Sequence, residues 1–132
     1  MIKKRINIRV RYSETDQMGF VYYGNYAQYF EVARVELFRE LGISYKSLEE
    51  EGIGMPVLSL NIKYIRPAVY DDLLSIEVSI TKIESSRIIF HYEIYNEEEV
   101  LLNKAETTLV FMDSKTKRPI RCPKKLWDVI NL

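Results

Sequence analysis

Residues 12–34 have the sequence YSETDQMGFVYYGNYAQYFEVAR, and the spacing of the apolar side chains changes within this segment. Before it, residues 5–13 alternate between apolar and polar side chains, which predicts a half-buried strand. The apolar positions of this strand are Ile6, Ile8, Val10 and Tyr12. Further on, apolar side chains recur every three or four positions, at Tyr26, Tyr29, Phe30, Ala33, Leu37 and Leu41. This second spacing predicts a helix over residues 25–41, which Gly42 ends.

The rest of the chain is dominated by alternating segments, apart from a short second helix that is expected to end at Gly52. Four more strands are predicted, over residues 58–64, 74–80, 88–94 and 100–112. A last helix around residues 125–130 is expected to dock through Trp127 and Ile130. The order is strand, long helix, then four strands in a meander. We therefore expect an α+β fold in which an antiparallel sheet of about five strands buries the helix stripe.

Length and composition fit one folded domain over residues 1–132, and no linker or repeat divides the chain. Nineteen Lys and Arg are balanced by 19 Asp and Glu, so the overall basic charge of a nucleic-acid-binding protein is missing. No apolar run approaches the roughly 20 residues that span a bilayer, and the N-terminus lacks the apolar segment of a signal peptide. We expect a cytoplasmic protein with no integral membrane segment and no nucleic-acid partner.

The loop between the first strand and the long helix combines an acid, a glycine and a helix end. Asp16 supplies a carboxylate, and Gly19 permits a tight backbone path or the close approach of a ligand. The start of a helix offers unpaired N–H groups and the positive end of a dipole. Such groups suit acyl transfer, because amides stabilise an oxyanion while a carboxylate attacks a carbonyl or activates water. By spacing alone, an Asp-x-x-Gly loop before a helix is more often a cap or a turn.

A longer pattern starts in this loop and continues in pieces along nearly the whole chain. Its residues are Tyr12, Thr15, Asp16, Gly19, Val21, Tyr22, Tyr23, Asn25, Tyr26, Phe30, Glu31, Ala33, Arg34, Met55, Pro56, Arg66, Pro67, Ala68, Asp71, Asp72, Asn103, Lys104 and Ala105. This pattern resembles the signature of the 4-hydroxybenzoyl-CoA thioesterase family, which includes the bacterial acyl-CoA thioesterases associated with the Tol-Pal system. The resemblance implies the hotdog fold, in which the sheet wraps around one long central helix. It also implies self-association as a homodimer or homotetramer.

The resemblance also implies roles for individual residues. Asp16 matches the family's catalytic aspartate. Many members have His at the position of Tyr23, whereas in the Tyr-type members the backbone N–H of this residue faces the thioester carbonyl. We therefore expect Asp16 and the Tyr23 amide to act as the catalytic groups without an imidazole. The expected substrate contacts are Gly19, Val21, Ser59, which would reach a partner subunit's site, and Arg66, which would meet CoA phosphates.

The other reactive side chains have ordinary interpretations. Glu14 is interpreted as a solvated acid at the end of the first strand rather than as half of a carboxylate pair. Glu31 and Arg34 lie three positions apart on the helix and are expected to form a structural ion pair. His91, the only histidine, alternates with the apolar positions of its strand, and Cys122, the only cysteine, lacks a His partner. We therefore predict no metal site and no cofactor.

The function expected from these observations is hydrolysis of an acyl-CoA thioester to a free acid and CoA. Asp16 would act as a nucleophile or as a general base, and the sequence does not separate the two. A non-hydrolytic module of the same fold that binds acyl-CoA or acyl carrier protein is the alternative. A hotdog hydratase or dehydratase is less favoured, because those enzymes use a His on the helix or its loop and this chain has none there. The acyl group stays open.

Overall fold

A computed structural model describes residues 2–131 as an antiparallel sheet with α-helices packed against it. The elements in chain order are β1 (Ile2–Arg9), α1 (Asn25–Glu40), α2 (Tyr45–Glu50), β2 (Ile53–Gly54), β3 (Val57–Tyr64), β4 (Leu73–Glu84), β5 (Arg87–Tyr95), β6 (Leu101–Val110), β7 (Met112–Asp113) and α3 (Lys124–Ile130). These elements confirm the predicted α+β class and the five antiparallel strands of the main sheet. Within this part of the chain, no helix is long and apolar enough to cross a membrane.

The strand order of the sheet is β1-β4-β5-β6-β3. β4, β5 and β6 form a meander, but β3 pairs with β6 at the far edge, so the predicted four-strand meander is wrong at its first strand. The reason is the connection over residues 65–72, which is tied to the loop before α1 and to the end of β1. Its hydrogen bonds are Val21 N to Ala68 O (2.9 Å), Tyr70 N to Gly19 O (3.1 Å) and Val10 N to Asp72 O (2.9 Å). The chain therefore arrives beside β1, and β4 pairs there.

Helix α1 buries one face against the sheet, as its apolar spacing predicts. Its buried apolar residues are Tyr26, Tyr29, Phe30, Ala33, Leu37 and Phe38. Phe30 stacks on Tyr92 of β5 with the ring centres 4.4 Å apart, and Phe38 lies 5.9 Å from Phe90. Gly42 follows the helix with φ +81°, the left-handed conformation that ends helices and that glycine adopts without strain.

Arg34 lies in this core instead of pairing with Glu31. The residue is only 6% exposed, and its Nη1 donates to the Tyr92 hydroxyl at 3.0 Å. Tyr92 also shares a hydrogen bond with Thr107. The predicted ion pair with Glu31 is wrong, because Arg34 faces the sheet on the buried side of α1 while Glu31 is exposed.

The C-terminal helix α3 forms where predicted, and Ile130 packs against the core as predicted, but Leu126 is the fully buried residue in place of Trp127. Leu126 is fully buried, whereas Trp127 is 45% exposed and Ile130 is half-buried. The prediction that Trp127 anchors the helix is therefore wrong. Neighbouring side chains on a helix point about 100° apart, so Leu126 and Trp127 cannot both face the core. Which of them does so depends on how the chain enters the helix at Pro123.

Strand β3 leaves one long edge of the sheet uncovered. Seven of its eight residues are exposed, and only Ile62 is half-buried. Its exposed apolar residues and the one that follows the strand are Val57, Leu58, Leu60, Tyr64 and Ile65. Val32, which lies off the buried stripe of α1, is also 42% exposed. Among residues 2–131, nothing pairs with the outer edge of β3.

Candidate active site

An apolar cavity of about 590 Å³ opens between the start of α1 and the segment that follows β3. The residues that line it are Asp16, Phe20, Val21, Tyr22, Tyr23, Tyr26, Tyr64, Ile65, Arg66 and Pro67. Four of the six predicted site residues, Asp16, Val21, Tyr23 and Arg66, therefore meet in one place. They come from two distant parts of the sequence, which the hydrogen bond from Val21 N to Ala68 O helps to bring together.

Asp16 lies at the start of a tight loop, where its side chain is exposed. Its Oδ1 accepts hydrogen bonds from the N–H groups of Met18 (2.8 Å) and Phe20 (3.2 Å). Gly19 closes the loop with φ +79°, and its N–H donates to the Asp16 carbonyl at 3.0 Å. Asp16 can thus cap the loop through Oδ1 and still serve a site. Among the described residues its Oδ2 makes no hydrogen bond, and Asp16 also borders the cavity.

The backbone just before α1 presents free hydrogen-bond donors beside the same cavity. Tyr22 N donates to Glu14 O, Asn25 N to Tyr22 O and Tyr26 N to Tyr23 O. The N–H groups of Tyr23 and Gly24 have no acceptor anywhere in residues 2–131. Gly24 occupies the N-cap position of a 16-residue helix and has no side chain that could cap it. Tyr23 lines the cavity and Gly24 follows it in the chain, so a free amide of the cavity wall lies next to the positive end of a helix dipole.

Tyrosine rings form much of the cavity wall. The Tyr26 and Tyr64 rings lie 5.7 Å apart, and the Tyr22 and Tyr23 rings lie 4.8 Å apart. Burial raises the pKa of the Tyr26 and Tyr64 hydroxyls, so both stay protonated near neutral pH. Further along α1, Tyr29 and Phe30 are buried, so α1 and the sheet are packed together beyond Tyr26.

The remaining two predicted site residues lie outside this cavity. Gly19 borders a second, open cavity on the other side of Asp16, which is also lined by Tyr12, Thr15, Gln17 and Tyr70. Ser59 lies on the exposed edge strand β3 and borders neither cavity of its own subunit. Its predicted contact with a partner's site stays a prediction.

Glu14 is a residue whose position the sequence did not predict. It is 9% exposed, so its interpretation as a solvated acid is wrong. Its Oε1 accepts hydrogen bonds from the Tyr29 hydroxyl and the Arg11 N–H, both at 2.9 Å, and its Oε2 contacts the Arg11 guanidinium. The sequence feature that could have predicted the burial of Glu14 is Tyr29, because a tyrosine in the buried stripe of a helix needs an acceptor for its hydroxyl.

His91 and Cys122 both lie away from the cavity. His91 is half-buried on the outer face of the sheet beside Lys63, Lys104 and Glu106, opposite to the face that carries Phe90 and Tyr92, as its alternation predicts. Burial raises the pKa of the Cys122 thiol to about 11, which disfavours the nucleophilic thiolate. Over the described part of the chain, no cluster of His, Cys, Asp and Glu has the arrangement of a metal site.

Comparisons with known proteins identify relatives of this chain. The model of the thioesterase-like superfamily matches residues 10–130. The chain is 36% identical over 121 residues to the putative acyl-CoA thioesterase YneP of Bacillus subtilis. This alignment covers 92% of this chain and 88% of YneP. The chain is also 34% identical over 119 residues to the acyl-CoA thioester hydrolase YbgC of Escherichia coli O157:H7. That alignment covers 90% of this chain and 89% of YbgC.

A solved structure extends the similarity to the fold. The crystal structure of DHNA-CoA thioesterase from Staphylococcus aureus superposes with a TM-score of 0.95 and 35% sequence identity. The superposition covers 99% of this chain and 90% of that protein. The match confirms the resemblance that the loop and helix residues carry. The chain belongs to the thioesterase-like superfamily, as an enzyme of the hotdog thioesterase fold.

Proposed function

We propose that this chain hydrolyses acyl-CoA thioesters to a carboxylic acid and free CoA. The observation that carries the proposal is that one apolar cavity is lined by both Asp16 and Tyr23, and that the Tyr23 N–H has no acceptor among residues 2–131. Water adds to the carbonyl carbon, the C–S bond breaks, and the CoA sulfur leaves with a proton. The names of YneP and YbgC support the acyl-CoA substrate.

Each group has a role that follows from its surroundings. The Tyr23 N–H, assisted by that of Gly24, would donate to the carbonyl oxygen as it becomes an oxyanion. Because the amides of Met18 and Phe20 hold Oδ1 of Asp16, the Oδ2 atom is the one available to a water or to the carbonyl carbon. Asp16 then acts as a general base or as a nucleophile, and no imidazole takes part. Arg66 at the cavity wall would meet a CoA phosphate.

The cavity favours a compact acyl group over a long one. Tyrosine rings line it, and beyond Tyr26 the stacked Phe30 and Tyr92 fill the space between α1 and the sheet. A long alkyl chain would have to separate rings that are fully buried, at a cost comparable to opening a core cavity. An aromatic or short acyl group fits without this change, and the DHNA-CoA thioesterase of Staphylococcus aureus supports this choice by its name.

The working unit that we propose is at least a homodimer, in which α1 is the central helix of each subunit's wrapped sheet. The open edge of β3, its exposed apolar side chains and the exposed Val32 provide a surface that a second copy would bury. Such pairing would also bring Ser59 of one subunit towards the partner's cavity, as the sequence predicts.

A thiol-release assay on a panel of acyl-CoAs tests the proposal. Asp16→Asn is expected to lower kcat on the order of 10²-fold or more, because the variant loses the base or nucleophile. Asp113→Asn is the matched control, since Asp113 also accepts two backbone N–H bonds, from Lys115 and Thr116, far from the cavity. The control should keep its activity, and aromatic or short acyl groups should react faster than long ones.

Two outcomes would contradict hydrolysis at this site. An Asp16→Asn protein with the activity of the wild type would show that the carboxylate takes no part. Tight acyl-CoA binding with no thiol release, in wild type and variant alike, would favour the non-hydrolytic binding module.

A further inference from the structure

Glu14 connects the loop that carries Asp16 to helix α1. Its side chain accepts hydrogen bonds from the Arg11 N–H and from the Tyr29 hydroxyl, which lies one turn inside the helix. Its backbone carbonyl accepts two more, from Tyr22 N at 2.9 Å and from the Asn25 side-chain amide at 2.8 Å. One residue therefore holds the chain before Asp16 and the first two turns of the helix.

These bonds close the loop around the proposed reaction centre. Between Glu14 and Tyr22 the chain folds back on itself, with a bridge from Thr15 to Val21 and a hydrogen bond from Asp16 N to Phe20 O at 2.8 Å. Asp16 lies on one arm of this loop, and the free amide of Tyr23 follows directly after the other arm. Both arms end at Glu14, so the distance between carboxylate and amide depends on it.

The Glu14 carboxylate is built into this position as an anion. Burial raises the pKa of Glu14, but hydrogen bonds from the Arg11 N–H, the Tyr29 hydroxyl and the Arg11 guanidinium outweigh burial and hold that pKa below its usual range. Burial raises the pKa of the Tyr29 hydroxyl most, and the contact with Glu14 raises it further, so this group remains the donor. A charged acceptor strengthens the hydrogen bonds that it receives.

From these contacts we infer that Glu14 is a positioning residue for the reaction, which fixes the Asp16 carboxylate against the amides at the start of α1. The inference rests on the proposed function. Glu14 does not itself border either cavity beside Asp16, so it acts through the geometry of the loop and not on the substrate. Acyl transfer depends on such alignment, since displacement of a catalytic group by about 1 Å can lower the rate on the order of 10²-fold.

Four variants test the inference. Glu14→Ala should lower kcat by about 10- to 10²-fold, whereas KM should change by less than about threefold, because alignment matters in the transition state. Glu14→Gln keeps an oxygen for Arg11 N–H and Tyr29, and should restore most of kcat. Tyr29→Phe removes one hydroxyl but keeps the buried ring beside Tyr26, so it reports the same contact in a protein that folds. Tyr95→Phe is the matched control, because it removes a Tyr–Glu bond elsewhere, to Glu93 at 3.0 Å.

A double-mutant cycle of Glu14→Ala with Asp16→Asn identifies the residue through which Glu14 acts. If Glu14 positions Asp16, Glu14→Ala should have little further effect on the residual rate of Asp16→Asn. Additive losses would overturn the inference. So would a Glu14→Ala protein with the kcat of the wild type, or equal losses in the Gln and Ala variants.

Hydrogen–deuterium exchange separates this inference from the proposed function. Amides in residues 15–22 should exchange faster in Glu14→Ala and Tyr29→Phe than in the wild type and Tyr95→Phe, whether or not any thioester is hydrolysed. Unchanged exchange over this segment would overturn the positioning role. Absence of thiol release from the wild type, with faster exchange in the variants, would instead overturn only the proposed reaction.

Discussion

At the scale of single residues, two carboxylates only two positions apart have opposite surroundings. Asp16 is exposed at the border of the cavity and uses only Oδ1 within the loop. Glu14 is buried, and donors from Arg11 and Tyr29 meet both of its oxygens. An acid with a free oxygen can meet a substrate, whereas an acid with both oxygens occupied supports structure. Environment, not residue type, thus separates their proposed roles.

The buried position of Glu14 predicts a pH dependence of stability. Because its folded-state pKa lies below its ordinary value near 4.5, Glu14 stabilises the fold above pH 4.5, and this contribution is lost as the pH falls through the folded pKa. Glu14→Gln has no such proton to bind. We therefore expect the difference in unfolding free energy between wild type and Glu14→Gln to shrink between pH 7 and pH 3, measured by urea unfolding. A difference that grows on acidification would contradict this prediction.

At the scale of elements, each helix is defined by the face that it buries. α1 buries the stripe that its spacing predicts, and the N–H groups of Tyr23 and Gly24, directly before the helix, have no acceptor among residues 2–131. α3 is shorter, and it buries Leu126 while Trp127 stays largely exposed. Seven residues give fewer than two full turns, so periodicity alone cannot select the buried face of α3.

The burial of α3 predicts unequal effects of two neighbouring substitutions. Leu126→Ala should lower the free energy of unfolding by about 2–5 kcal/mol, because it removes a fully buried side chain and leaves a cavity. Trp127→Ala, the matched variant, should lower it by clearly less, since nearly half of that side chain already meets solvent. Thermal or urea unfolding of both proteins measures the difference. Equal losses, or a larger loss for Trp127→Ala, would contradict the observed docking.

At the scale of the whole molecule, the feature that stands out is the uncovered edge strand. β3 carries several exposed apolar side chains, and seven of its eight residues are exposed. A strand with free N–H and C=O groups and exposed apolar side chains is a surface for pairing with another chain. The cavity lies at the end of this strand, where Tyr64, Ile65 and Arg66 line it. The proposed assembly and the proposed site therefore share one region.

A charge on this edge is expected to weaken the proposed dimer. Leu58 is 54% exposed, so Leu58→Lys should leave the subunit folded while it places a cation in the interface. Sedimentation velocity should show a shift from dimer or tetramer towards monomer. Glu98→Lys, at an exposed position of the β5–β6 hairpin, changes the charge elsewhere and should not shift the distribution. A monomeric wild type with full activity would contradict the dimer.

Much of the fold and part of the site could be predicted because they depend on local patterns. The alternation through Leu74 and Ile76 or through Phe90 and Tyr92 indicates strands wherever they pair, and all four residues are buried as expected. The candidate site was accessible through Asp16, since its loop resembles a known family. The burial of Glu14 could not be predicted. An acid at the end of a strand meets either solvent or a tyrosine hydroxyl, and the tertiary packing of α1 against the loop decides which.

The sequence by itself determined the elements, the α+β class and the family resemblance of the loop around Asp16, because these follow from periodicity and from residues close together in the chain. Only the tertiary structure decided which edges pair and which side chains are buried. β3 went to the far edge because the connection after it hydrogen bonds to Gly19 and Val21. That same connection brings Arg66 to the cavity that Asp16 and Tyr23 also line, although these residues lie about forty to fifty positions apart, and no local pattern encodes this.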